Sequence, residues 1–216
     1  MNCILNSLFI FVILAAAGFA AEDFAATKKK AEAGDANAQV KLGSAYELGQ
    51  EVPKDETEGV KWYRKAAEQG NAYAQGMLGS LYYYGVGVPK DEVEAVKWSR
   101  KAAEQGHPLA QHALGVAYLN GDGVPKDEAE ALNWLRLAAY QGYKKAQAML
   151  AVMYEGGEGA PKDLVQAHVW YNIVAAKGDG NAKLLRANIE KEMTSEQKAE
   201  AMKLARELFA KLPKGE

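Results

Sequence analysis

One serine–lysine pair in this sequence has the spacing of a catalytic motif. Ser195 and Lys198 form Ser-x-x-Lys, the first element of the acylating serine site in penicillin-recognising enzymes. Its companion sequences, Ser-Asp-Asn and Lys-Thr-Gly, do not occur, and neither do Gly-x-Ser-x-Gly, a Walker loop or His-Glu-x-x-His. Ser195 also falls at the predicted start of a helix, where serine is common for capping reasons. We therefore expect no catalytic residue.

Metal-ligating residues are equally sparse. His107 and His112 are five residues apart, a poor spacing for sharing one helical face, and His168 stands alone beside a tryptophan. The turn at 120–123, Asn-Gly-Asp-Gly, lacks the alternating acids and final glutamate of a calcium loop. Cys3 is the single cysteine. We expect no metal ion and no cofactor.

The first twenty residues have the pattern of a secretory signal peptide. The apolar run Leu8–Ala17 is followed by small residues at Gly18 and Ala20, which suits cleavage after Ala20, although no Lys or Arg precedes the run. The alternative is an uncleaved anchor, but the 14 residues from 8 to 21 are fewer than the roughly 20 that a spanning helix needs. We predict that residues 1–20 are removed and that no membrane span remains.

The charge balance argues against nucleic acid as a partner. The chain has 26 Lys and Arg against 28 Asp and Glu, for a net charge of -2. Binding to phosphate backbones depends on a basic surface, which this composition does not supply. At 49% hydrophobic residues the sequence is that of a folded globular protein.

A 36-residue repeat organises the elements that position these side chains. Trp62, Trp98, Trp134 and Trp170 are each 36 residues apart. The same step separates four tyrosines, four prolines, four aspartates and four glycines, at 46/82/118/154, 53/89/125/161, 55/91/127/163 and 70/106/142/178. Five residue types that share one period indicate a tandem array.

Each copy reads as two helices. The first helices are predicted at Ala36–Leu48, Ala72–Tyr84, Pro108–Asn120 and Lys144–Glu155, each followed by a glycine that can adopt the left-handed conformation. Asp-x-x-Glu, or Asp-x-x-Gln in the fourth copy, then predicts a capping box at the start of each second helix. A small residue inside each first helix (Gly43, Gly79, Gly115 and Ala151) predicts close approach of the second helix, with its tryptophan and paired alanines opposite.

The segments at 36–46 (Ala-x-Ala-Gln-x-x-Leu-Gly-x-x-Tyr), 85–91 (Gly-x-Gly-Val-Pro-Lys-Asp) and 97–106 (Lys-Trp-x-Arg-Lys-Ala-Ala-Glu-Gln-Gly) resemble Sel1-like repeats, relatives of the tetratricopeptide repeat. We therefore expect an all-α, right-handed α-solenoid of four 36-residue helix-turn-helix repeats, at 36–70, 71–106, 107–142 and 143–178. The first copy departs from the pattern, with Gly-Gln-Glu at 49–51 in place of Gly-x-Gly.

The two ends of the array are predicted to be capped. Lys30–Gly34 match the end of a second helix at Ala66–Gly70, so within residues 21–35 we expect a capping helix at about Glu22–Ala33. Residues 179–216 lose the period and are predicted to form two capping helices, Ala182–Glu192 and Ser195–Leu212. The second opens with a Thr194–Gln197 capping box and carries an apolar stripe that should cover the last repeat.

The resemblance implies a protein-interaction scaffold with no catalysis of its own, periplasmic or secreted from a bacterium, that acts on an envelope or membrane signalling complex. The alternative is a cell-wall- or β-lactam-directed hydrolase. The relatives that suggest it carry paired cysteines in each repeat, whereas the repeats of this chain contain no cysteine. The expected partner is a protein or peptide, bound on the concave face of the first helices.

First-helix positions that vary between copies are the candidate contacts, because scaffold positions recur and cannot encode a specific partner. These residues are Tyr73, Tyr83, Tyr84, His112 and Asn120. Aromatic residues concentrate in the second copy, which suits a binding hot spot. The alternative is that residues such as Tyr84 and Leu109 pack between repeats.

Overall fold

The computed structural model describes residues 24–213, and within this range the regular secondary structure is helical. The signal peptide predicted at 1–20 lies outside the described residues. The helices are α1 (24–32), α2 (Ala36–Leu48), α3 (Glu56–Glu68), α4 (Ala72–Tyr84), α5 (Glu92–Glu104), α6 (Pro108–Asn120), α7 (Glu128–Tyr140), α8 (Lys144–Gly156), α9 (Leu164–Ala176), α10 (Gly180–Ile189) and α11 (Ser195–Lys211).

The helices divide into two compact units, one ending at Asp91 and the other beginning at Glu92. In the first unit α3 packs against both α2 and α4. In the second unit α5 to α9 pack in chain order, and α10 and α11 both pack on α9. None of the helices described is long and apolar enough to cross a membrane.

Each first helix ends at a glycine in the left-handed conformation. Gly121, for example, has φ +80° and its amide donates a 2.8 Å hydrogen bond to the Ala117 carbonyl. Gly49, Gly85 and Gly157 end α2, α4 and α8 in the same left-handed conformation. The predicted bounds of α2, α4 and α6 are confirmed, and α8 runs one residue further than predicted, to Gly156.

Asp55, Asp127 and Asp163 cap the second helices that follow them, but the predicted capping box forms only in part at α3. The Asp55 carboxylate accepts a 2.9 Å hydrogen bond from the Glu58 amide. Glu58 pairs with Lys61 at 2.7 Å, one turn further along the exposed surface, so it does not reach back to the cap. The full reciprocal box forms at α11, between Thr194 and Gln197.

The small residue inside each first helix allows the helix pair to approach closely, as predicted. A Cβ added at Gly43 would lie 3.1 Å from both the Gly59 carbonyl oxygen and the Tyr63 ring. At Gly115 it would lie 2.7 Å from Cγ of Leu135. The prediction that tryptophan lies opposite is therefore wrong, because the facing position is the one that follows the tryptophan.

A second close approach joins consecutive copies through the Gly-x-Gly loop. A Cβ on Gly123 would lie 2.2 Å from the carbonyl oxygen of Glu92, in the first turn of α5. Gly87 and Gly159 make the same approach to Glu56 and Glu128. No side chain fits there, so the second glycine of the loop sets the spacing between copies.

The ends of the described array are covered by apolar contacts. Ala31 of α1 is buried in one cluster with Ala38, Leu42 and Trp62, so α1 covers the first copy. At the other end the predicted stripe of α11 packs on the core formed by α8 and α9, through Ala201, Leu204, Ala205, Leu208 and Leu212. The predicted bounds of α10 are shifted, because the Asp179 side chain caps the helix by accepting from the Ala182 amide and α10 therefore starts at Gly180.

Candidate partner-binding surface

Polar side chains at recurring positions join each copy to the next. Four buried glutamines on the first helices donate through Nε2 to alanine carbonyls of the preceding helix, at 3.0–3.2 Å. These are Gln39, Gln75, Gln111 and Gln147. The Oε1 atom of Gln39 accepts from Gln69, and that of Gln111 accepts from Gln141, both at 2.7 Å. These amides hold the scaffold together and are not available to a partner.

A second row pairs an arginine of each second helix with a tyrosine of the next first helix. Arg100 donates to the Tyr118 hydroxyl at 2.7 Å, and Arg136 donates through Nε to that of Tyr154 at 2.8 Å. Arg64 makes the same bond to Tyr82. Three of the four tyrosines that recur every 36 residues, Tyr82, Tyr118 and Tyr154, are therefore structural.

A third interaction links the two helices of one copy and was not predicted. The buried Tyr63 donates a 2.8 Å hydrogen bond to Glu47, and Tyr171 donates one of 2.6 Å to Glu155. Burial raises the pKa of both phenols above their ordinary value, and the neighbouring carboxylates raise it further. Tyr83 occupies the repeat position of Glu47 and Glu155, so variation at this position reflects packing within copies as well as any binding role.

The three candidate tyrosines lie on α4. Tyr73 and Tyr84 are exposed, with 48% and 73% of their surfaces accessible. They are eleven residues apart, which places them on one face of the helix about 16 Å apart. Tyr83 is half-buried, and its ring packs edge-on against that of Tyr84 with centroids 5.0 Å apart. The exposure of Tyr84 excludes the alternative that it packs between copies.

Tyr73 also lines a cleft of about 360 Å³ that α1 and α2 form with it. The cleft wall includes Phe24 of α1, together with Val40 and Lys41 of α2. Glu51 lies at its edge and has φ +65°, a left-handed conformation that is uncommon for a residue with a side chain. Aromatic, aliphatic and charged groups thus border one opening beside Tyr73.

The other two candidates lie in the second unit, on α6. His112 is half-buried with its ring 5.1 Å from that of Tyr143, and burial, together with the charge of Lys145, lowers its pKa. Asn120 is exposed at the end of the helix and donates to Asp122 at 3.1 Å. The structure thus brings Tyr83 and Tyr84 together, and it places His112 and Asn120 eight residues apart along α6.

Ser195, His107 and His168, the residues considered for catalysis or metal binding, lie at helix starts or in contacts within the chain. Ser195 is the first residue of α11 and is exposed. The His107 ring accepts a hydrogen bond from the Ala110 amide and so caps α6, while burial lowers its pKa. His168 is 2% exposed and bonds to Glu190 at 2.8 Å through Nε2. Among residues 24–213 there is no group of three or more His, Cys, Asp or Glu side chains that could hold a metal ion.

Comparison with known proteins gives a family and two informative structures. The Sel1 repeat model matches residues 36–71, 72–107, 108–143 and 144–179. A Sel1 repeat protein from Oxalobacter formigenes is 44% identical over 71% of this chain and 63% of its own, with a TM-score of 0.68. The protein c5321, a protective antigen present in uropathogenic Escherichia coli strains that displays an SLR fold, is 32% identical over 87% of this chain and 48% of its own, with a TM-score of 0.57.

This chain therefore spans about half to two thirds of the length of these two relatives. No curated protein matches it. The four matched segments cover well over half of the sequence and coincide with the helix pairs described above. The chain belongs to the Sel1 repeat family, whose all-α, solenoid-class members are related to tetratricopeptide repeat proteins and generally act as protein-interaction scaffolds.

Proposed function

We propose that this protein is a periplasmic or secreted adaptor that binds a protein or peptide partner through the exposed face of α4 and has no catalysis of its own. We further propose that it acts on an envelope or membrane signalling complex. Family membership supports the interaction role. The signal-peptide pattern at residues 1–20 supports export.

The exposed pair Tyr73 and Tyr84 is the observation that carries the proposal. Two large aromatic side chains on one helix face provide apolar contact area and a hydroxyl at low conformational cost. The recurring glutamines and the Arg-bound tyrosines are occupied within the chain, whereas this face is accessible and differs between copies. Those are the properties a specific contact requires.

Site-specific photo-crosslinking in the exporting cell tests this proposal. A photoreactive residue at position 84 is expected to trap an envelope protein, and the same residue at position 93 serves as the control. Val93 is also exposed, but it lies in the first turn of a second helix, α5. Equal crosslinking at both positions, or none at position 84 in exported protein, would contradict the proposal.

A further inference from the structure

The last helix, α11, has three distinct sides. Its buried side packs on the core through the stripe already described, and a charged side carries alternating acids and lysines. The third side is exposed and mostly apolar. It consists of Ala199, Met202, Arg206, Phe209 and Ala210. Capping the last copy requires one apolar side, so the second apolar side has no function in the cap.

Exposure at the centre of this side is substantial. Met202 and Phe209 are each 48% exposed. They lie seven residues apart, which places them on the same face at a separation of about 10.5 Å. This is the two-turn spacing with which helices commonly present anchors to a groove.

The exposed side of α11 borders a groove of about 290 Å³ shared with α9. Apolar side chains line most of it, namely Ile173, Ala176, Ala205, Phe209 and Ala210. The polar lining residues are Asn172 and Arg206, and the Asn172 side-chain oxygen already accepts a 2.6 Å hydrogen bond from Arg186. Arg206 is therefore the charged group that a bound segment would meet.

Comparison between copies shows that this apolar character is specific to the end of the array. One second-helix position reads Lys65, Lys101, Leu137 and Ile173 in the four copies. A second position, three residues further on, reads Glu68, Glu104, Tyr140 and Ala176. The first two copies thus carry charged side chains at these positions, and the last two carry apolar ones. In the fourth copy Ile173 is buried and Ala176 is exposed.

The charge of Arg206 determines which kind of segment the α9–α11 groove can bind. Within residues 24–213, no hydrogen bond or ion pair is found for the Arg206 guanidinium, so it can take an acidic partner without losing an existing one. A second copy of α11 fits poorly. A parallel pair with aligned stripes would place Arg206 opposite Arg206. An antiparallel pair with Met202 opposite Phe209 would place Arg206 within one residue of the other Arg206, and like charges across an interface are unfavourable.

We propose that the α9–α11 groove binds an amphipathic helix of a partner protein, which inserts apolar side chains spaced by three or four residues and pairs an acidic side chain with Arg206. This surface is separate from α4, so the proposal shares with the proposed function only the premise of protein binding.

The test uses the full mature chain and two alanine-based helical peptides labelled with a fluorophore. Each has leucines at i, i+4 and i+7, and one has glutamate beside the middle leucine where the other has lysine. Fluorescence anisotropy is expected to show roughly tenfold tighter binding of the glutamate peptide. Arg206→Glu should reverse this preference. Lys203→Glu, the same charge change on the charged side of α11, should leave it unchanged.

A further variant blocks the groove without removing a core contact. Ala176→Glu places in the fourth copy the acid that Glu68 and Glu104 provide in the first two, so the helix should tolerate it. It is expected to reduce glutamate-peptide binding at least tenfold while circular dichroism stays unchanged. Tyr83→Ala/Tyr84→Ala should not affect peptide binding, so the outcome is independent of the α4 surface.

Three results would overturn the proposal. One is that neither peptide binds, and another is that both bind equally to the unaltered chain and to Arg206→Glu. The third is a dimer in sedimentation analysis that Ala176→Glu dissociates, which would assign the groove to a second copy.

Discussion

The hydroxyl of Tyr63 donates a 2.8 Å hydrogen bond to the carboxylate of Glu47 and thereby joins α3 to α2 inside the first copy. The fourth copy repeats it between Tyr171 and Glu155. In the third copy the equivalent positions are both leucine, at 119 and 135. The pair changes as a unit, from polar with polar to apolar with apolar, as expected for side chains in contact.

Removing the hydroxyl tests the strength of this link. Tyr63→Phe should lower the free energy of unfolding by about 1–2 kcal/mol, because hydrogen bonds to charged groups contribute about 1.5–3 kcal/mol and Glu47 is only half-buried. Urea denaturation measures the change. Tyr84→Phe removes an exposed hydroxyl and should change the stability by less than about 0.5 kcal/mol. Equal effects of the two substitutions would show that the pair contributes nothing.

The same tyrosines predict an alkaline pH dependence. Burial, followed by the nearby carboxylates, raises the pKa of Tyr63 and Tyr171 in the folded protein above the unfolded value of about 10. Their contribution to stability is therefore complete below about pH 10 and is lost as the pH rises through the folded pKa. Between about pH 9 and 11, Tyr63→Phe/Tyr171→Phe should lose less unfolding free energy than the unaltered chain. Parallel pH profiles would contradict this.

The Gly-x-Gly spacing can be tested with two glycines of similar backbone conformation. Gly106 and Gly123 have φ +86° and +68°, but only Gly123 has backbone atoms close to an added Cβ. Gly106→Ala should cost about 1–2 kcal/mol for the left-handed conformation alone. Gly123→Ala should cost at least about 2 kcal/mol more, because copies must move apart. Thermal or urea unfolding measures both costs. Similar costs would mean that the loop moves to accommodate the added Cβ and that Gly123 does not set the spacing between copies.

Trp98 provides a test of the repeat core. Trp98→Ala should cost about 3–5 kcal/mol, the range for emptying a large aromatic site, since the side chain is buried. Val93→Ala on the same helix is the matched control, because Val93 is exposed and should cost less than about 0.5 kcal/mol. An unchanged denaturation midpoint for Trp98→Ala would contradict a core role.

The partner surface on α4 is tested by Tyr83→Ala/Tyr84→Ala. Capture of the crosslinked partner should weaken by about 2 kcal/mol, the scale of an aromatic hot spot. Val93→Ala should leave capture unchanged. Circular dichroism checks that helical content is retained in both variants. If the tyrosine variant captures the partner at full strength, the partner does not bind on α4 and binds instead on the loops or on α11.

Helix bounds were predictable from sequence where a glycine or an aspartate marks the end. Gly49 and Gly85 fix the ends of α2 and α4 because only a residue without Cβ adopts the required conformation at no cost. At α10 the predicted start is two residues late, although Asp179 lies in the 36-residue register of the caps Asp35 and Asn71, because the rest of the repeat pattern has faded by this point.

Side-chain partners were harder to infer than backbone elements. Variation at position 83 and its equivalents 47, 119 and 155 predicts a partner contact, but Glu47 and Glu155 are engaged within their own copies. Comparing these residues with positions 63, 99, 135 and 171 would have exposed the link, because the two sets vary together. The exposed side of α11 does not stand out in the sequence for another reason. The stripe that caps the last copy already explains an amphipathic helix, so the sequence alone does not separate a second apolar side from it.

Glu51 has a consequence for how such an array can lengthen by duplication. In the later copies this position is glycine, and its Cα lies against the first-turn carbonyl of a preceding second helix. Duplicating an interior module supplies that glycine automatically, so the array can grow from the middle in single steps. Placing a complete module ahead of Ala36 would require an exchange of Glu51 for glycine as well. The array is therefore polarised, open to internal expansion and resistant to extension at its first module.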